Sequence, residues 1–134
     1  MTRSLVLSAI SDFLAATYTG PVTIHTETAD EILRPPYAVV RVGSAEAIAP
    51  GQVEIWDMNV LVAVFHDADA TTAETAETQA AEVFAALADP DHLIASTSQK
   101  LVWSAWERNG SEASIAENRW QHVAAFRAIV APAA

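Results

Sequence analysis

Apolar and polar positions along the chain change their period several times, and each change marks an element. Leu5, Ala9, Ile10, Phe13 and Leu14 fall on one face at helical spacing, so residues 3–17 read as an amphipathic helix. Gly20-Pro21 stops it. Val22-Thr23-Ile24-His25-Thr26 then alternates apolar with polar, the mark of a short strand. Residues 27–36 are acidic, end in a Pro pair and read as a loop; 37–42 is a β-rich run. Residues 43–51, with Gly at both ends and Pro50, read as a second, projecting loop.

The longest strand signal spans 52–66. Its middle is a polar island, Asp57-Met58-Asn59, which predicts a bulge or a segment running beyond the sheet. Its second half, Val60 to Phe65, is apolar at every position and so predicts a central strand buried on both faces. Residues 67–72 turn into a second helix. Thr71-Thr72-Ala73-Glu74 matches a capping box with Thr71 as N-cap. Glu74 and Glu77 suit the positive end of the helix dipole. Ala76, Ala80, Val83, Phe84 and Leu87 form its buried face, leaving Glu74, Glu77 and Glu82 exposed, and Pro90 ends it.

Residues 91–99 carry no clear period. Leu101 to Trp106 reads as a strand, Asn109-Gly110 as a turn, and the last strand starts near Arg119. There Trp120, His122, Ala124, Phe126, Ala128 and Val130 share one face, with Arg119, Gln121, Val123, Ala125, Arg127 and Ile129 on the other. The order α-β-β-β-α-β-β with short connections predicts an α+β fold: a mostly antiparallel sheet of four to five strands, covered on one face by two helices.

At 134 residues the chain reads as one domain, large enough to bury roughly two-thirds of its unfolded surface without a metal or disulfide staple. It has no cysteine, which excludes thiolate metal sites and cysteine nucleophiles. Seven basic against 17 acidic residues give a net charge of −10. One lysine and six scattered arginines make a poor grip on phosphates, so specific nucleic-acid binding and attachment to anionic membranes are not expected. No apolar run approaches the ~18 residues of a membrane span. Arg3 and the apolar residues after it imitate a signal peptide, but Asp12 interrupts the run and the helical periodicity favours a packed helix.

Candidate chemistry is sparse. His66, Asp67 and Asp69 could in principle offer an imidazole and two carboxylates to a divalent ion. The plainer reading is that the two aspartates serve the turn and the helix entry. Asp89-Pro90-Asp91-His92 is a weaker cluster of the same kind, explained by a loop after a helix. No GxSxG or Gly-rich phosphate loop is present, and His25 and His122 sit in strand patterns. We therefore expect no catalytic residues, no cofactor and no resident metal.

The four tryptophans are more suggestive. Trp103 and Trp106 have opposite parity in one strand, and Trp56 opposes Ile55, so not all can enter one core. Two helices cover one face of a sheet only, which leaves large apolar side chains for another chain to cover. Trp56, Asp57, Asn59, Trp103 and Trp106 are accordingly the candidate subunit or partner interface.

The element order, with the "PYAVVRV" strand at 36–42, the Ala/Glu helix and the closing "RWQHVAAFRAIV" at 119–130, resembles the tail terminator and tail-to-head joining proteins of long-tailed phages. The resemblance covers most of the chain by element order and carries no catalytic signature. It implies a non-enzymatic virion protein, a hexameric ring built from copies of itself. Such a ring caps the tail tube protein, halts its polymerisation and docks to the head connector or completion protein. It sits at the head-proximal end of the tail and is assembled in the host cytoplasm. DNA would pass through the lumen without specific binding, which the acidity suits, since negative walls repel phosphates. Other readings stay open: a head-completion or neck protein of the same particle, a small metal-dependent enzyme using His66, Asp67 and Asp69, and a cellular binding module.

Overall fold

A computed structural model describes residues 2–26, 34–48, 55–88 and 101–132. Their order is α1 (Thr2–Thr17), β1 (Thr23–Thr26), β2 (Tyr37–Ala47), β3 (Trp56–Asp67), α2 (Ala73–Ala86), β4 (Leu101–Ala116) and β5 (Arg119–Pro132). The strands form one five-stranded sheet in the order β1-β2-β3-β5-β4. The fold is α+β, with the sheet antiparallel at every pairing except β1–β2, which is parallel. The chain therefore crosses over between those two strands rather than turning back.

One face of the sheet is buried beneath both helices. Val6, Ile10, Phe13 and Leu14 of α1 meet Ala38, Val40 and Val42 of β2 and Val60, Val62 and Val64 of β3 in one core cluster. Val83, Phe84 and Leu87 bring α2 into the same cluster, over Ala124, Phe126 and Ala128 of β5. Ala76 and Ala80 of α2 are buried as well, and Glu74, Glu77 and Glu82 are exposed, as the periodicity predicts.

Four local expectations need correction. The N-cap of α2 is Thr72, not Thr71: the Thr72 hydroxyl accepts from the Thr75 amide at 3.2 Å, and the Thr71 carbonyl instead accepts from Trp120 Nε1 at 2.9 Å. Glu74 is thus the second helical residue, one position short of a capping box. Second, β2 runs on to Ala47, through what reads as a loop. Gly43 is the unpaired residue of a bulge between Val42 and Ser44, and a Cβ there would lie 3.0 Å from Leu61 Cδ1. The bulge thus sits on β2, while the polar island on β3 pairs without interruption with β5.

Third, Asn109-Gly110 is not the hairpin turn. β4 continues past it with a register shift between Arg108 and Gly110, and the chain reverses at Glu117 and Asn118, both at positive φ (52° and 61°). Two consecutive left-handed residues make the tight turn that suits the twist of paired strands. Asn118 stabilises it further by donating its side-chain amide to Asp69, while its carbonyl accepts from the Ala68 amide at 3.0 Å. Fourth, β3 is not buried on both faces within the chain. Burial alternates along it, so Met58, Val60, Val62 and Val64 are buried and Leu61, Ala63 and Phe65 are half-buried on the face without helices.

Candidate functional site

The predicted interface residues separate into two groups. Trp103 and Trp106 both enter the core, 7 % and 6 % exposed. A second register shift in β4, between Trp103 and Ala105, changes the parity and turns both indoles inward. Their rings meet edge to face at 5.8 Å, and Trp106 stacks on Phe126 at 4.8 Å. Trp106 Nε1 donates to the Leu87 carbonyl at 2.7 Å, satisfying the C-terminal end of α2. The parity argument for an exposed indole fails here, and these two side chains offer little surface to a partner.

Trp56, Asp57 and Asn59 stay half-buried at the start of β3. Trp56 pairs with Ala47 and Val130 and packs on the core. Asp57 and Asn59 lie on the helix-free face, where Arg127 of β5 reaches across. Arg127 Nη2 and Nε donate to the Asp57 carboxylate at 2.8 and 3.1 Å, which holds the Asp57 carboxyl below the usual carboxylate range. Asn59 Oδ1 is buried without a hydrogen-bond partner among the described residues. With Ser44, Glu46 and Asn109 these groups line a shallow polar concavity of about 460 Å³. Asp57 is committed to an ion pair, and the lining holds no nucleophile with a histidine beside it.

The remaining candidates are held by separate local bonds. His66 is 1 % exposed and its Nε2 pairs with Gln79 Oε1 at 2.8 Å. Asp67 Oδ1 accepts from the Asp69 amide at 2.9 Å, and Asp69 takes the Asn118 amide. Among the described residues, no three His, Asp or Glu side chains come close enough to share a metal ion. Asp89 to His92 lies outside the described residues. His25 meets the edge of the Tyr37 ring at 6.4 Å, and burial with His66 nearby pushes His122 below the ordinary histidine range.

The sequence predicts an apolar sheet face left for another chain to cover, but the residues on the helix-free face are not the tryptophans Trp103 and Trp106. Its floor is Val39, Leu61, Ala63, Phe65 and Val123, with Arg41 and Gln121 at the rim. Tyr37 stacks on Phe65 at 4.9 Å, and Arg119 Nη1 donates to the Tyr37 hydroxyl at 2.9 Å. The signal was present in the alternate positions of β5, which place Arg119, Val123 and Arg127 together. The strongly exposed large apolar side chains among the described residues are aliphatic: Ile48, Val102 and Ile115.

With that geometry in view, the chain resembles one chain in the virion of a native gene transfer agent (GTA) particle. The TM-score is 0.57 at 18 % sequence identity, over 96 % of this chain and 93 % of that one. The likeness is one of fold. No protein-family model and no curated protein matches the sequence.

Proposed function

We propose that this protein is a structural subunit of a phage-like virion, specifically a tail terminator. Copies of it form a ring, hexameric in the reading we favour, that caps the tail tube, stops its polymerisation and joins it to the head connector. The observation that carries this reading is the end-to-end likeness of fold to a chain of a GTA virion, which leaves almost none of either chain unmatched. The rest of the molecule fits a scaffold role. Its polar concavity at the start of β3 is braced by an ion pair, His66 is held by Gln79, and among the described residues one sheet face has no helix layer over it. A net charge of −10, repeated around a ring, gives a lumen that DNA can traverse without sticking.

The test is the state of the purified chain and its effect on particles. Native mass spectrometry and negative-stain microscopy should show rings, alone or on tail-tube ends. Trp56→Ala and Asp57→Lys should weaken assembly, or tail–head joining in a complementation assay, more than they weaken folding of the monomer. Asp57→Lys sets a cation against Arg127 on this face. A wild-type chain that stays monomeric at every concentration and joins no particle overturns the proposal.

A further inference from the structure

We propose that Asn109-Gly110 is a site of spontaneous covalent modification: in the folded protein the Asn109 amide is lost as ammonia, and a carboxylate on an aspartyl or isoaspartyl residue takes its place. The reaction needs no enzyme. The Gly110 amide nitrogen gives up its proton to hydroxide or water and attacks the side-chain carbonyl carbon of Asn109. Ammonia leaves and a succinimide ring closes. Water then adds to one of the two ring carbonyl carbons and opens it. Opening at the former side-chain carbon gives aspartate; opening at the main-chain carbon gives isoaspartate, whose backbone runs through the former side chain. The balance is one water taken up and one ammonia released.

Three conditions govern the ring closure. The asparagine side chain must be free to turn onto its own C-terminal neighbour, the backbone must not be locked by pairing, and the neighbour must carry no bulky side chain. The chain has three asparagines, and Asn109 meets all three conditions. It is exposed, and its side chain makes no hydrogen bond among the described residues. It falls at the register shift between Arg108 and Gly110, outside the ladder with β5. β4 is also the edge of the sheet, so among the described residues no strand holds it from the other side. A Cβ added at Gly110 would meet no atom within 4 Å, so the space beside that residue is open.

The other two asparagines fail these conditions. Asn59 is paired on both sides, with Ser44 and Arg127, and is followed by β-branched, fully buried Val60. Asn118 is held by its amide to Asp69 and by its carbonyl to the Ala68 amide, and Arg119 after it is paired with Asp67. Conversion at Asn109 also alters a surface already described. Asn109 lines the concavity that holds Glu46, Asp57 and Arg127. A new carboxylate there joins a wall whose arginine already serves Asp57 at 2.8 Å and Glu107 at 3.8 Å. In the isoaspartyl product the main chain is also longer by a methylene, at the point where β4 already carries an extra residue. The charge of this surface thus changes with the age of the protein.

The test holds the purified full chain at mildly alkaline pH and physiological temperature, with a parallel sample unfolded in urea. Peptide mapping by mass spectrometry reads the amide-to-acid mass gain at each asparagine, and an isoaspartyl methyltransferase assay reads the isomer. In the folded protein Asn109 should convert within roughly tenfold of its rate in urea, because no opening of the fold has to precede the reaction. Asn59 and Asn118 should stay unconverted over the same interval. Gly110→Val should slow conversion at residue 109 by at least about tenfold. Its Cβ meets open space and a β-branched residue suits a strand, so its unfolding midpoint should be no lower than that of the wild type. An Asn109 that stays intact in the folded protein while the urea sample converts overturns the proposal. So does an unchanged rate in Gly110→Val.

Discussion

Trp106 offers the sharpest test of how this fold is held together, because the indole does two separable things. Its rings fill the core between Trp103 and Phe126, and its N–H donates at 2.7 Å to the carbonyl of Leu87, the C-cap of α2. Trp106→Phe keeps most of the packing and deletes the donor, leaving the Leu87 carbonyl buried without its partner. That loss costs about 1–3 kcal/mol, and the smaller ring adds to it. Trp106→Ala also removes the ring and should cost about 3–5 kcal/mol, a large share of the 5–15 kcal/mol typical of a domain. Trp103 supplies the internal control. It is equally buried, but its Nε1 has no partner among the described residues, so Trp103→Phe deletes an unsatisfied donor and should cost less than about 1.5 kcal/mol. Urea unfolding of the three variants, with unchanged slopes, reads these differences as midpoint shifts. A loss of 2–3 kcal/mol moves the midpoint by about 1–2 M at ordinary slopes. If Trp103→Phe costs as much as Trp106→Phe, or more, the bond to Leu87 is not what distinguishes the two indoles and the reasoning fails.

Three further outcomes are expected. Phe84→Ala should lose about 3–5 kcal/mol, since the ring is buried beneath the Arg108 guanidinium, 5.2 Å from its centroid; a loss under about 1 kcal/mol would show that α2 is not anchored there. Thr72→Ala should cost about 1 kcal/mol as loss of a helix cap, and Thr71→Ala under about 0.5 kcal/mol; the reverse order in thermal melts would restore Thr71 as the cap. Burial, helped by nearby His66 and opposed by Glu77, depresses the folded-state pKa of His122, so the unfolded chain takes up its proton first as pH falls. This contribution to stability is whole above the unfolded value of about 6.5 and is lost as pH falls through the folded one; urea midpoints should decline below about pH 6.5, and His122→Gln should flatten that decline, an unchanged slope ruling His122 out as its source.

The elements that could be read from the sequence are those whose signal is a simple period. α1 and the buried row of α2 are set by spacing alone, and the alternating faces of β5 fall where the pattern puts them. What escaped depends on single-residue insertions. A bulge in β4 carries no marker in the string Trp103-Ser104-Ala105-Trp106, yet it reverses the parity on which the interface argument stood. Asn109-Gly110 has the chemistry of a turn and is used as a bulge, while the actual turn is built from Glu117 and Asn118, the first of which carries little preference for positive φ. The parallel pairing of β1 with β2 is equally silent, since a short strand's direction is fixed by its crossover and not by its own residues. At the candidate site, the ion pair of Asp57 with Arg127 joins residues 70 apart and could be seen only once the register of β3 on β5 was known.

The position of β5 has a bearing on how the protein is made. It follows every other described strand in sequence, yet it lies inside the sheet, between β3 and β4. A ribosome finishing Asp67 must add about 50 more residues before Arg119, their first pairing in the register, is available. At 5–20 residues per second that is about 3–10 s. Throughout that interval β3 has nothing to occupy the edge on which Val60, Val62 and Val64 will later be matched by Phe126, Ala124 and His122. An apolar strand left open in this way is where nascent chains join one another. Slower synthesis lengthens the exposure, so yield of soluble protein should depend on chaperone supply more than on the stability of the finished fold.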